Sequence, residues 1–231
     1  MMPFSVSIII PAYNEEAIIK KAILQAYTLL DTDGSDFEII VVNDGSNDNT
    51  AQIIDENFFK TEKIRIYHKA QNEGFGSAVR WGIENAKMQY LLCVPVDSPL
   101  TPDVYNAFKH NAAKGDVIVS YRKQRVGYSG WKLFNSWVYH QLISVLFHIH
   151  LRDYNWMHMY HRKLFDEGKI SIEYNGIFML AEILIKAKQK NYSFFEIEVE
   201  QHERLTGIAT ASKPSAILKT FVDIFSFRFR Q

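Results

Sequence analysis

Between Ser5 and Ser120 the chain repeats one rhythm: a short apolar run, a polar cluster, a segment with apolar residues at helical spacing, then another apolar run. SVSIIIPA (5–12), FEIIVVN (37–43), KIRIYHK (63–69), YLLCVPV (90–96) and DVIVS (116–120) read as strands. Segments 17–30, 50–59, 76–87 and 101–114 read as helices. In the first, Ile18, Ile19, Ala22, Ile23, Ala26, Leu29 and Leu30 fall on one face. The last begins with Thr101 at an N-cap position and Pro102 at the first helical position, both strong start signals. Strands alternating with helices through short connections specify an α/β fold: a mostly parallel central sheet flanked by helices on both faces.

After Ser120 the rhythm breaks. A long helix is expected over 131–150, then an aromatic and His-rich stretch, a helix over 177–190, a strand over 193–201 and a Phe-rich tail. From Leu133 to Leu151 there is no Lys, Arg, Asp or Glu, yet Asn135, Ser136, His140, Gln141, Ser144, His148 and His150 interrupt the run. That pattern reads as a buried or interfacial helix rather than a membrane span, which needs about 20 predominantly apolar residues. The organisation expected is one domain over 1–212 with an amphipathic tail over 213–231. In that tail Phe221, Ile224, Phe225, Phe227 and Phe229 alternate with Lys219, Arg228 and Arg230, which suits either a membrane-surface contact or packing on the domain. Lys plus Arg equals Asp plus Glu at 26 each, so charge gives no argument for a nucleic-acid partner. The lone Cys93 sits in an apolar run and reads as an inert buried thiol in a reducing compartment. With no secretory signal at the N-terminus, the expected location is cytoplasmic, with a peripheral position on the membrane face open.

In an open parallel sheet, ligands sit outside the carboxyl ends of the strands. The residues just past each strand are therefore informative: PAYNEE, NDGSND, QNEGFGS and VDSP. Tyr13, Asn14, Glu15, Asp44, Asn72 and Asp97 should meet on one edge. Tyr13 can stack on a base, acids and amides can bind base or ribose edges, and Asp97 can hold a divalent cation against phosphates. Asn, Asp, Gly and Ser also favour turns for purely local reasons, so NDGSND alone reads equally as a turn and helix cap. GFGSAV (74–79) lacks the third glycine of a dinucleotide fingerprint, so its glycines are read as allowing close backbone approach or capping a helix.

IIIPAYNEE, IVVNDGSNDNT, NEGFGSAVRWGIENA and VDSPLTPD together resemble the family 2 glycosyltransferases, whose fold is a Rossmann-like nucleotide-sugar-binding domain of the GT-A type. SYRKQRVGYSGWK, RDYNWMHMYHRKLFD and HERLTG are similar to the polyisoprenyl-phosphate, dolichyl-phosphate mannose synthase-like branch. The resemblance implies an inverting transfer of a sugar from a nucleotide-diphosphate sugar donor to a polyprenyl-phosphate acceptor in glycan or cell-envelope biosynthesis. It implies that Pro11, Ala12, Tyr13, Asn14, Glu15, Asp44, Asn72 and Gly76 line the donor pocket, and that Asp97 holds Mg²⁺ or Mn²⁺. By the same resemblance Arg122, Arg162 and Arg204 would fall at phosphate-binding positions, for which guanidinium forks are suited.

Departures stand beside the matches. Pro95 occupies the place of the first acid of the family's Asp-x-Asp element, and Pro99 that of a further metal ligand. Asn43 replaces an acid, Phe75 a lysine, and Trp156, Met157 and His158 a Ser-Gly-aromatic run. Asp153 is the candidate base or acceptor-positioning acid, against an alternative in which it pairs with Arg152 or Arg162. A sugar hydroxyl of a growing glycan as acceptor, and a catalytically silent nucleotide-sugar-binding subunit, stay open alongside the lipid-phosphate reading. Self-association stays open too.

Overall fold

The computed structural model describes residues 4–98, 100–123, 130–200 and 214–230. Their strands form one seven-stranded sheet, in the order β3-β2-β1-β4-β6-β5-β7. The strands are β1 (Ser5–Ala12), β2 (Asp36–Asn43), β3 (Ile64–His68), β4 (Tyr90–Cys93), β5 (Val117–Arg122), β6 (His158–His161) and β7 (Phe194–Val199). The helices are α1 (Ile19–Asp33), α2 (Thr50–Phe58), α3 (Phe75–Asn85), α4 (Pro102–Asn111), α5 (Gly130–Phe147), α6 (Phe178–Gln189) and α7 (Pro214–Arg230). Pairing is parallel except for β6, which runs antiparallel to both β4 and β5.

Central strands covered on both faces must be apolar throughout, and Ile8, Ile9 and Ile10 are all buried. Successive side chains serve opposite layers. Ile8 and Ile10 join the core beneath α1, α2 and α4, while Ile9 joins the core beneath α3, α5, α6 and α7. Burying each such side chain contributes about 1.5–3 kcal/mol. α4 starts where the sequence indicates, with Thr101 Oγ1 accepting from the Val104 N–H. α7 seats Ile224 and Phe227 in the second core.

The first five strands and four helices fall where the periodicity puts them. β6 is new relative to the expectation of an irregular aromatic stretch: it has four residues, of which His158, Met159 and Tyr160 are all buried, so no polar alternation marks it. Its reversal matters for function. The N-terminal end of β6, and the residues leading into it, lie at the carboxyl edge of the parallel strands. Its C-terminal end lies at the amino edge, where His161 pairs with Tyr90.

Candidate active site

Polar loops from β1, β2, β3 and β4 converge at the carboxyl edge. The loop after β1 is stitched to the loop after β2 by backbone N–H groups donating to side chains. Asn14 N donates to Ser46 Oγ at 2.9 Å, Glu15 N to Thr50 Oγ1 at 2.8 Å and Glu16 N to Asp48 Oδ2 at 3.2 Å. In return Asn47 N donates to Asn14 Oδ1 at 2.8 Å. Asn14 adopts φ 55°, a left-handed conformation that Asn tolerates. NDGSND thus does more than terminate its own strand: it supports the loop carrying Tyr13 and Glu15. Pro11 and Ala12 are the last residues of β1, in register with Val42 and Asn43. Tyr13 is 39% exposed at the rim, a position from which its ring can stack.

Asp44 is buried beside them. Its Oδ1 accepts from Lys69 Nζ at 3.1 Å and from Glu73 N at 3.2 Å, and its Oδ2 from Gly74 N at 2.8 Å. Lys69 also donates to Ser77 Oγ at 2.6 Å and to Glu73. One carboxylate therefore pins the loop after β3 and the start of α3. The same approach dictates Gly45, at φ 66°, where a Cβ would lie 2.4 Å from the Gln71 carbonyl carbon and 2.7 Å from Asn72 N. Asn72 is exposed on this rim. Nothing in the sequence marks Lys69: a lone lysine just past a strand carries no signal of a buried partner.

Asp97 follows β4, half-buried, and faces Glu15. Burial holds the Glu15 carboxyl above its ordinary range, and the negative charges of Asp97 and then Asp48 hold it further up. The charge of Asp97 thus disfavours ionisation of Glu15, an arrangement that a cation relieves. Oxygen donors of this kind suit Mg²⁺ or Mn²⁺. Among the described residues no three His, Cys, Asp or Glu gather into a metal cage.

Arg122, at the end of β5, anchors a second, buried polar cluster. Its Nε and Nη2 donate to Asp153 Oδ2 at 2.9 and 2.8 Å, with side chains 3% and 1% exposed. The guanidinium lies 4.7 Å from the Trp156 ring centroid. Asn155 N donates to Asp153 Oδ1 at 3.1 Å, and His140 Nε2 of α5 stands 3.6 Å from the same oxygen. His158 lies within this cluster, and burial pushes its imidazole down to about 4, so it is neutral at physiological pH. The pairing of Asp153 is with Arg122. Arg152 instead lies over the Tyr121 ring at 4.4 Å, and Arg162 Nη1 lies 3.6 Å from Asp166 Oδ1.

Two of the expected residues, Arg162 and Gly76, turn away from the open face of this edge. Arg162 follows the C-terminal end of the antiparallel β6, and its N–H donates to the Gln89 carbonyl before β4, at the amino edge. The reversed strand thus carries it away from any diphosphate. Gly76 turns to the protein itself: a Cβ there would sit 2.4 Å from the Tyr174 carbonyl oxygen, and its N–H donates to the Asn175 carbonyl at 2.8 Å. Arg204, like Pro99, lies outside the described residues. Cys93 is buried with its thiol pushed up to about 12, the inert state expected of it.

Comparison with known proteins agrees with this geometry. The model of Glycosyl transferase family 2 matches residues 7–179. Dolichyl-phosphate beta-glucosyltransferase ALG5C of Trichomonas vaginalis is 35% identical over 102 residues, covering 42% of this chain and 30% of that protein. The uncharacterized glycosyltransferase YkcC of Bacillus subtilis is 25% identical over 203 residues, 87% of this chain and 61% of its own. The poly-beta-1,6-N-acetyl-D-glucosamine synthase of Staphylococcus epidermidis is 31% identical over 116 residues, covering 48% of this chain and 27% of that protein. The chain thus spans less than two thirds of each of these curated relatives. Among solved structures, glucosyl-3-phosphoglycerate synthase from Mycobacterium tuberculosis, in complex with Mn²⁺, UDP and phosphoglyceric acid, superposes with a TM-score of 0.74. The two are 17% identical, and the match covers 98% of this chain and 78% of that one, which establishes the shared fold. With the family model matching three quarters of its length on the sheet described above, the chain belongs to glycosyl transferase family 2.

Proposed function

We propose that this glycosyltransferase moves a sugar from a nucleoside-diphosphate sugar to a lipid-linked phosphate, with inversion at the anomeric carbon. The observation that carries the acceptor assignment is the buried Arg122–Asp153 pair. Asp153, the acid best placed in sequence to be a base, has one oxygen on Arg122 and the other on the Asn155 N–H. A sugar hydroxyl is a poor nucleophile and gains about 10²–10⁴-fold from a positioned base. A phosphate monoester is already ionised near neutral pH and attacks without one. The Trichomonas relative is named for a dolichyl-phosphate acceptor, which supports the same reading. The Staphylococcus relative is named for polysaccharide synthesis, so transfer to a glycan hydroxyl is the competing reading.

Donor recognition falls to the rim built on Asp44. Tyr13 offers a ring to the base, and Glu15, Asn72 and the polar loops offer hydrogen-bonding groups to base and ribose. Glu15 and Asp97 would hold the divalent ion, as hard oxygen ligands alongside the diphosphate and water. When bound, such an ion supplies charge stabilisation for the departing nucleoside diphosphate. Arg122 directs fixed positive charge toward the acceptor phosphate, and Asp153 keeps its fork oriented.

Thermal unfolding with UDP, GDP and CDP, each with and without Mn²⁺, tests the donor half. Binding at 100 times Kd stabilises by about 2.7 kcal/mol, a shift of about 5–11 °C for a domain of this size. One nucleotide should give that shift and only with the metal. A uniform absence of shifts would remove the donor site.

A further inference from the structure

We propose that the outward faces of α5 and α7 dock this protein on an anionic lipid bilayer surface. The observation is an inversion of the usual pattern for a surface helix. α5 buries Tyr139 and Ile143, while Trp131, Leu133, Phe134, Trp137 and Val145 are 69%, 45%, 53%, 59% and 67% exposed. At about 100° per residue these five spread over the half of the helix turned away from the core. Trp131, Phe134 and Trp137 stack in a row, with ring centroids 6.0 and 6.2 Å apart. A soluble helix places polar residues on that side; after Lys132, α5 has no charged residue there at all, His140 aside.

α7 extends the same surface. Leu218, Val222, Phe225 and Phe229 recur at spacings of four, three and four, and all four are exposed, whereas Ile224 and Phe227 face the core. The two helices meet where the Phe147 and Phe227 rings lie 5.6 Å apart.

Charge names the partner. By the same helical geometry, exposed Arg228 lies on one side of the α7 stripe, and exposed Lys219 and Arg230 on the other. α5 carries no acidic residue. The single acid of α7, Asp223, is half-buried against Gly176, one turn from Lys219 on the Lys219–Arg230 side, which keeps a net positive charge. An apolar, Trp- and Phe-rich strip with cations along both margins matches the boundary between acyl chains and anionic headgroups. A second copy of this chain would bring Arg and Lys against Arg and Lys at those margins. No helix among the described residues is long and apolar enough to cross a membrane, so the contact is one of lying on the surface. His140 of α5 also reaches Asp153, so the docking helix touches the Arg122–Asp153 cluster directly.

The test uses the whole chain and vesicles that contain no polyprenyl phosphate, so docking is read apart from the acceptor assignment. Co-sedimentation is measured with phosphatidylcholine vesicles, with and without phosphatidylglycerol, alongside the Trp emission maximum. The protein should pellet with phosphatidylglycerol-containing vesicles, release with rising salt and shift its Trp emission to the blue. The Trp131→Ser, Phe134→Ser, Trp137→Ser variant should bind roughly tenfold or more weakly with its thermal midpoint kept. Lys219→Glu with Arg228→Glu should lose the preference for anionic lipid. Unmodified protein that stays in the supernatant with anionic vesicles overturns the proposal, whatever the variants do. So does a triple variant that folds and binds undiminished, or a stable dimer of the unmodified chain that this triple variant dissolves.

Discussion

Arg122 and Asp153 meet inside the protein with two guanidinium nitrogens on one carboxylate oxygen, at 2.9 and 2.8 Å, 31 residues apart in sequence. The pair sits where β5 ends and the chain enters β6, at the carboxyl edge of the parallel strands. The Asn155 N–H on Asp153 and the Trp156 ring beside the guanidinium fix the fork in place.

Breaking that pair should cost stability, because removing one partner leaves an uncompensated buried charge, at about 3–5 kcal/mol. Asp153→Asn is expected to lower the thermal midpoint by roughly 6–20 °C. Calorimetry on purified variant and parent reads this. An Asp153→Asn protein with an unchanged midpoint but no turnover would instead mark Asp153 as a base.

Asp97→Asn should remove the dependence of nucleotide binding on Mn²⁺ while leaving the fold intact. It should also stabilise the protein without ligand. Glu15 is held above its ordinary range by burial first and by Asp97 next, so the folded state keeps a proton longer than the unfolded chain. For such an acid, stability falls as pH rises from its ordinary range through the raised one. The advantage of Asp97→Asn over the parent should therefore be present at neutral pH and vanish below about pH 4, where Glu15 is protonated in both. Urea titrations at both pH values compare the two. An advantage that persists at the acid end would mean that Glu15 and Asp97 are not coupled.

Gly76→Ala tests how the donor rim is backed. The added methyl would meet the Tyr174 carbonyl at 2.4 Å, a backbone atom with little room to retreat. A loss of about 1–3 kcal/mol is expected, together with weaker nucleotide binding, since Asp44 holds the neighbouring Gly74 N–H. Gly130→Ala is the control, having nothing within 4 Å of its added carbon. Equal midpoints for the two variants would show that α3 is not pressed against residues 174–175.

His158 should make the protein acid-sensitive. Its ring titrates at about 4 in the fold because of burial, against about 6.5 in an unfolded chain. Between those values the unfolded state binds the extra proton, so stability is lost as pH falls through this window, by up to about 3 kcal/mol. His158→Phe should flatten that part of the stability profile. A parent profile already flat between pH 6.5 and 4 would contradict a neutral buried His158.

What the sequence discloses, and what it withholds, divides at Ser120. The alternation up to that point is long-period and repeated, so the sheet, its carboxyl edge and the facing of Glu15 and Asp97 there are all legible. Beyond it the signals are short. HMYH is a strand with no alternation to betray it, and its antiparallel direction alone decides that Arg162 sits at the far edge while Asp153 sits at the near one. Basic residues close in sequence to a motif are thus placed by strand direction, which composition does not encode. The partner of Asp153 is equally hidden: Arg152 and Arg162 are near in sequence, Arg122 only in space. α5 is recognisable as an apolar helix, yet which side of it faces outward depends on the one turn, at Tyr139 and Ile143, that the core accepts.

The most direct test offers this protein two acceptors that differ in one group. A short-chain polyprenyl phosphate and the corresponding polyprenol are each incubated with UDP-, GDP- and CDP-sugars and Mn²⁺, and the glycolipid product is measured by mass spectrometry. Transfer from one donor to the phosphate and none to the alcohol is expected, because the phosphate arrives ionised and Asp153 is bound to Arg122. Transfer to the alcohol, or to a glycan hydroxyl with none to the phosphate, would contradict a lipid-phosphate acceptor.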